Sequence, residues 1–318
     1  MADFDVFNGD ADGILSLVQL RRAEPKPSAA LITGRKRDIQ LLSRVDAQTG
    51  DSVTVLDVSM RSNMADLSRI LERGASVLYM DHHNAGDIPD HPCLDAVIDT
   101  SPEMCTAVLV NSRLNGAYRA WAVTAAFGDN FPKLARETAN GLDLPLDTLE
   151  RLGILINYNG YGASVDDLHF HPAELYRQLA QYDTPMDFLS GGKGVFEKLD
   201  SGYEADMQFV KDGEILSNSE SGQITLLPDD VRSRRASGVY GNKLAQDFPN
   251  RAHAILTANN NNGFVVSVRA PLARRTGADT LCLQFETGGG RSAAAGINHL
   301  PESDLGRFVK TFDHIFKL

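Results

Sequence analysis

Residues 75–83 read ASVLYMDHH. The apolar run Ala75–Met80 has the length and composition of a buried strand. It ends on a carboxylate and two imidazoles at consecutive positions, Asp81-His82-His83. A metal centre explains three titratable residues at the end of a buried strand. A polar loop that holds two histidines explains the tripeptide equally well, because neighbours in sequence need not converge in space. What the other strands carry decides between the two.

The first half of the chain alternates short apolar runs with helical patterns. Strands are predicted over Asp3–Asn8, Ala29–Thr33, Ser52–Asp57 and Ala75–Met80, and helices over Ile14–Ala23, Asp38–Val45 and Met64–Glu72. Strands spaced by helices in this way imply βαβ units and a parallel sheet, and ligands of such sheets bind at the carboxyl ends of the strands. The four ends read Gly9-Asp10-Ala11-Asp12-Gly13, Thr33-Gly34-Arg35-Lys36-Arg37, Asp57-Val58-Ser59 and Asp81-His82-His83. Plainer readings exist for each. Gly9–Gly13 suits a tight turn with an Asp helix cap worth about 1 kcal/mol, Asp57 suits another cap, and Arg35–Arg37 suits a solvated basic turn. The cap leaves the second Asp of Gly9–Gly13 unexplained, since Asp is a poor helix former. An EF-hand does not fit, because a strand precedes the loop and no Glu stands at its twelfth position. Taken together, Asp10, Asp12, Asp57 and Asp81 at one sheet edge repel one another at low local dielectric. A bound cation removes that cost, and a carboxylate-plus-imidazole set suits Mn²⁺ or Mg²⁺.

Helices are expected next over Met104–Leu114, Ala117–Phe127, Phe131–Asn140 and Leu146–Ile156. Gly191-Gly192-Lys193-Gly194 marks a linker, followed by a helix over Tyr203–Leu216. Strands then recur at Gln223–Leu227, Ala252–Thr257 and Phe264–Arg269, with Asn259–Asn262 as a hairpin turn. This divides the chain into a first α/β domain over residues 1–190, a linker and connecting helix over 191–216, and a smaller α/β domain over 217–318.

The length of 318 residues suits two domains. A net charge of −11 argues against a general binder of long duplex nucleic acid, but leaves room for a small phosphorylated substrate in a local basic pocket. No stretch approaches the ~20 apolar residues that span a bilayer, so no membrane association is expected. The opening MADFDVFNGDADG lacks an export signal, and the three cysteines, Cys93, Cys105 and Cys282, form no Cys-x-x-Cys pair. Both features fit a reducing cytoplasm. Without a P-loop, or a Gly-x-Gly-x-x-Gly after a strand, a nucleotide-dependent transferase has little support.

The ordered set of motifs resembles the DHH phosphoesterase superfamily, which holds RecJ-type exonucleases, small oligoribonucleases, cyclic dinucleotide phosphodiesterases, exopolyphosphatases and family II pyrophosphatases. Asp10-Ala11-Asp12-Gly13 matches its first motif, Asp57 its second and Asp81-His82-His83 its third. Gly288-Gly289-Gly290-Arg291-Ser292-Ala293-Ala294-Ala295-Gly296 fits the GGGH-x-x-AAG motif of the companion DHHA1 domain except at one position, where Arg291 replaces His. The resemblance implies a bilobed enzyme: a DHH-type parallel sheet with flanking helices that binds one or two Mn²⁺ or Mg²⁺ ions, and a DHHA1-type α/β domain that closes a cleft over the substrate. It makes Asp10, Asp12, Asp57 and His82 metal ligands, Asp81 a ligand or the carboxylate that orients an imidazole, and His83 the residue facing the scissile phosphate. Phosphate would be gripped by Arg291, Gly289 and Gly290, by Arg269 on the preceding strand, and by Arg35 as a distal contact. The resemblance leaves room for a homodimer.

Four positions depart from the pattern. Val6 and Asn8 stand where many members have His or a further Asp. The fourth motif corresponds to Gly153-Ile154-Leu155-Ile156-Asn157-Tyr158-Asn159-Gly160, which puts the uncharged Asn157 in a ligand position. Arg291 is a bidentate phosphate clamp, so binding survives that change better than acid–base chemistry does. His169 and His171, beside Phe170, read as a replacement ligand pair or as an exposed loop. The expectation is a metal-dependent phosphoesterase that hydrolyses a short oligonucleotide, a nucleotide or a phosphodiester with metal-activated water, with one ion held firmly and a second held weakly or arriving with substrate. The alternative is a regulatory protein that kept a phosphate- or nucleotide-binding site and lost catalysis.

Overall fold

Strand β1 (Asp3–Phe7) opens the chain and turns at Asn8–Asp10 into helix α1 (Ala11–Ala23). β2 (Ala30–Ile32), β3 (Ser52–Leu56), α2 (Met64–Glu72), β4 (Ser76–Asp81) and β5 (Leu94–Ile98) follow. The five strands form one parallel sheet in the order β2-β1-β3-β4-β5. The chain passes to one side of β1 for β2 and to the other side for β3, so the order reverses between β1 and β3. This is the switch point where open α/β sheets form crevices at their strand ends. Helices α3 (Thr106–Arg113), α4 (Arg119–Gly128), α5 (Pro132–Thr138), α6 (Leu146–Tyr158), α7 (Pro172–Leu179) and α8 (Pro185–Gly191) complete the first unit. In this computed structural model residues 1–317 are described, and the first unit comprises Met1–Gly160 and Ser164–Asp200. Its apolar layer of Val6, Val53, Val55, Val77 and Tyr79 meets Leu67, Ile70 and Leu71 of α2.

Two elements differ from the sequence expectation. Asp38–Val45 forms only a single 3-10 turn at Leu42–Arg44 in place of a helix. Side chains capture its backbone. Asn63 Nδ2 donates to Ile39 O (2.6 Å) and Asn63 Oδ1 accepts from Leu42 N (3.1 Å), while Arg69 donates to the carbonyls of Val45 (3.0 Å) and Leu42 (3.2 Å). With those groups already satisfied and Leu41, Leu42 and Val45 buried, the helix has no driving force. The edge strand β5 was not expected, because Asp95 interrupts its short apolar run.

The second unit comprises Tyr161–Ala163 and Ser201–Leu318, entered along helix α9 (Lys193–Val210). β6 (Glu214–Asn218), β7 (Gly222–Leu227), α10 (Val231–Asp247), β8 (Ala252–Asn259), β9 (Gly263–Arg269), α11 (Ala278–Cys282), β10 (Gly288–Gly290), β11 (Ala294–Pro301) and α12 (Leu305–Phe316) follow. They form a six-stranded mixed sheet, β10-β11-β9-β8-β7-β6, parallel only between β7 and β8, where α10 makes the crossover. Phe308, Phe312 and Phe316, at helical spacing on α12, enter its core. The helix expected at Tyr203–Leu216 begins earlier, at Lys193, and ends at Val210. The glycines 191–194 lie at a helix–helix junction where the Gly192 N–H bonds Phe188 O at 2.6 Å. Asn260–Asn262 do turn the β8–β9 hairpin. Among the described residues no helix is long and apolar enough to cross a membrane.

Candidate metal centre

Three strand ends of the first sheet converge. After β1, Asp10 caps α1, its Oδ1 accepting from Gly13 N at 3.1 Å. Asp12 is fully buried inside the first turn of α1. Its two oxygens accept from the backbone N–H groups of Thr106 (2.8 Å) and Ala107 (2.7 Å) at the start of α3. After β3, Asp57 adopts φ +58°, a left-handed conformation uncommon outside glycine, and its N–H bonds Met80 O at 3.0 Å. Backbone strain of this kind persists where the surroundings over-determine it, often at functional sites. It aims a buried carboxylate at the end of β4, where Asp81, His82 and His83 stand.

His82 is oriented by a carbonyl. Its Nδ1 lies 2.5 Å from Met104 O, which only accepts, so Nδ1 carries a proton, and the neutral ring, the form that binds a metal, offers Nε2 as its lone pair. That nitrogen lies 3.5 Å from Asp57 Oδ1 and 3.9 Å from both Asp12 Oδ2 and Asp129 Oδ2. A backbone carbonyl on one ring nitrogen with the other turned toward carboxylates is how a ligating histidine is held. His83, about a third exposed, donates Nδ1–H to Asp81 Oδ1 at 2.7 Å. The other Asp81 oxygen is buried and has no hydrogen-bond partner.

The electrostatics match a cation site. Burial first, then the carboxylates of Asp12, Asp10, Asp129 and Asp81, push the Asp57 carboxyl well above its ordinary range. Burial also raises Asp12; His82 opposes this and Asp129 and Asp10 add to it. Two donor sets emerge, Asp57–His82–His83 and Asp12–His82–Asp129, each with its ligand atoms within 4.8 Å of one another. Oxygen and imidazole donors at this spacing fit Mn²⁺ or Mg²⁺.

Asp10, Asp12, Asp57, Asp81, His82, His83 and Asn157 therefore come together, and two further residues join them. Asp129 follows the last residue of α4, and nothing in its sequence context marks it. Lys36, in the basic turn after β2, extends Nζ to Asp10 Oδ2 (2.5 Å), Asp129 Oδ1 (3.0 Å) and Asn157 Oδ1 (3.0 Å). Arg35, the member of that turn expected to grip phosphate, pairs with Asp38 (2.6 Å). His169 bonds the Tyr158 hydroxyl (2.8 Å), and His171 caps α7 through Ala173 N.

The other expected phosphate contacts lie in the second unit. Gly289 and Gly290 belong to β10, and exposed Arg291 begins its turn into β11. The small residues after it, Ala294–Gly296, lie in β11. The Arg269 guanidinium donates to Asn242 Oδ1 (2.5 Å), Ser267 Oγ (3.0 Å) and two carbonyls.

No family model matches the sequence, and no curated protein matches it. Solved structures do. A DHH domain from a member of a family of ribosomal proteins matches with a TM-score of 0.65 at 14% identity, over 100% of this chain and 87% of that one. The exonuclease RecJ bound to manganese matches with a TM-score of 0.61 at 16% identity, over 100% and 90%. A pGpG-specific phosphodiesterase from Vibrio cholerae matches with a TM-score of 0.54 at 16% identity, over 98% and 97%. With a parallel five-stranded sheet flanked by helices and a second unit built on a mixed sheet, the chain carries the fold of the DHH superfamily.

Proposed function

We propose that the chain is a divalent-metal-dependent phosphoesterase acting on a small phosphorylated substrate: a short oligonucleotide, a nucleotide or a phosphodiester. The observation that carries this reading is the His82 ring, fixed by Met104 O so that Nε2 faces Asp57, Asp12 and Asp129. Asp57 and His82 would hold the ion, with His83, Asp12 and Asp129 beside them. Mn²⁺ or Mg²⁺ there supplies Lewis-acid polarisation of a phosphoryl oxygen and a more acidic water. Asp81 holds the His83 ring through Nδ1–H, and His83 would meet a phosphoryl oxygen or a leaving group. Arg291, exposed beside two glycines, is the phosphate clamp of the second unit; Gly289, Gly290 and Arg269 would support it, and Arg35 would be a distal contact. Among structures of this fold are an exonuclease and a pGpG-specific phosphodiesterase, which supports a phosphodiester as the substrate class.

A second reading, a phosphate-binding regulator without turnover, is favoured by Lys36 among the acidic groups and by Asn157 in a ligand position. One experiment separates the two. Mn²⁺ is titrated into metal-free protein while hydrolysis of bis-p-nitrophenyl phosphate, pGpG and a short RNA is followed, with Asp57→Asn alongside. Metal-dependent turnover that falls at least about 100-fold in the variant, the scale of losing a principal catalytic group, supports the enzyme. Micromolar ligand binding without turnover supports the regulator.

A further inference from the structure

We infer that the Lys36 ammonium is a built-in cation of this centre: it takes the place of one of two ions and leaves the chain to load a single divalent metal. The inference rests on the metal-dependent reading above. Lys36 Nζ is bonded by two carboxylates and an amide oxygen, Asp10 Oδ2, Asp129 Oδ1 and Asn157 Oδ1, at 2.5, 3.0 and 3.0 Å. Such oxygens are also the donors a hard divalent cation selects. They arrive from three separate elements: the cap of α1, the residue after α4, and α6. An ammonium offers three N–H groups, and here they meet three acceptors where a second ion would otherwise be needed to offset the charge.

The lysine is placed by its backbone and not only by its side chain. Its N–H donates to Gly160 O at 2.9 Å, and its carbonyl accepts from Asn8 Nδ2 at 3.3 Å. The turn that carries it is pressed onto the first motif: a Cβ on Gly9 would sit 1.8 Å from Gly34 O. The departures from the family pattern then make sense together. Asn8 and Asn157 replace carboxylates, and both bond Lys36. An uncharged amide oxygen on α6 is enough for an ammonium already met by two carboxylates, whereas a carboxylate there would strengthen the site for a second dipositive ion.

The remaining donors also point to one ion. Both candidate sets use His82. With Nδ1–H committed to Met104 O, His82 has one lone pair, so the two sets are alternatives and not two independent sites. Asp129 belongs to one of them and already gives Oδ1 to Lys36.

The test counts ions. The full-length chain and Lys36→Met, in which the replacement is uncharged and of similar length, are dialysed against MnCl₂, and bound manganese per chain is measured by mass spectrometry and by calorimetry. We expect one ion in the wild type and two in the variant, the second held at least tenfold tighter than any second ion in the wild type. A variant that folds only with metal is refolded in Mn²⁺ and counted in the same way, and the double variant Lys36→Met/Asn157→Asp should likewise hold two. Two tight ions in the wild type, or one in both wild type and variants, overturns the role of Lys36 and leaves the metal-dependent reading intact. No ion in the wild type overturns the metal reading itself.

Discussion

Asp12 and Thr106, 94 positions apart in the sequence, are joined by a hydrogen bond of 2.8 Å from the Thr106 N–H to Asp12 Oδ2, and Ala107 N binds the other oxygen at 2.7 Å. Asp12 thus caps α3 from within α1 while sharing a cluster with Asp57, which makes no comparable backbone bond. The two carboxylates should respond oppositely to neutralisation. Asp12→Asn turns an amide N–H₂ toward a backbone donor and should destabilise the metal-free protein by about 1–3 kcal/mol, the cost of an unsatisfied buried group. Asp57→Asn removes a charge that burial and four neighbouring carboxylates disfavour, and Asn tolerates φ +58° well. It should stabilise the metal-free protein, by about 1.4 kcal/mol for each pKa unit relieved. Urea unfolding in EDTA measures both, and a loss of stability in Asp57→Asn would contradict the account of crowded charge.

The carboxylates were legible in the sequence because each is tied to the end of an apolar run: Asp57 directly follows β3, and Asp81 closes β4 with His82 and His83 just after it. A strand end is a one-dimensional signal, and the topology of a parallel sheet brings such ends together. Asp129 and the aim of Lys36 were not legible. Asp129 follows a helix with no marker, and its use depends on how α4 packs against α6. The basic turn Arg35–Arg37 was visible, but not that Lys36 within it reaches the carboxylates of Asp10 and Asp129, which depends on how the turn packs against the start of α1 and the end of α4. The false helix at Asp38–Val45 has the same origin: its periodicity was real, but Asn63 and Arg69, distant in sequence, took its backbone groups.

Behind the sheet, Arg21 clasps Asp5 with Nε–Oδ2 at 2.9 Å and Nη2–Oδ1 at 2.5 Å, and it also donates to Thr54 Oγ1 at 2.7 Å. Both side chains are almost wholly buried, 5% and 1% exposed. Arg21→Met leaves an uncompensated buried carboxylate and should cost about 3–5 kcal/mol, whereas the double variant Asp5→Leu/Arg21→Met should recover much of that loss. Chemical denaturation of the two variants measures the difference. Equal destabilisation would mean that the pair is replaceable by neither.

In the second unit, His253 on β8 is fully buried. Burial, and next the nearby Arg251, lower its pKa from 6.5 to about 4. Above pH 6.5 both folded and unfolded forms are neutral and no pH effect arises from this group. Between pH 6.5 and 4 the unfolded chain takes up a proton that the folded one refuses, so stability falls as pH falls, then levels off below pH 4. From pH 7.5 to pH 5 the loss is about 2 kcal/mol. Urea unfolding of the second unit at the two pH values should show it, and His253→Leu should remove that part of the slope. An unchanged slope in the variant would assign the acid sensitivity to other groups.

The centre also depends on how closely two helices approach. Gly153 on α6 packs against α4, where a Cβ would lie 2.2 Å from Thr124 O and 2.8 Å from Gly128 N. Gly128 immediately precedes Asp129, and Asn157 is one helical turn beyond Gly153, so two of the three Lys36 acceptors are set by this contact. Gly153→Ala cannot be accommodated by rotating a side chain, because the clashing atoms are backbone. It should separate the helices, at a cost of about 1–3 kcal/mol typical of overpacking. The specific consequence is local: Asp129 and Asn157 retreat from Lys36 and His82, so Mn²⁺ affinity should drop along with thermal stability. Ala139→Gly, at a buried position following α5, serves as a comparison that lowers stability without moving α4 and α6 apart. If both variants lose stability and neither loses Mn²⁺ affinity, the α4–α6 spacing does not set the centre.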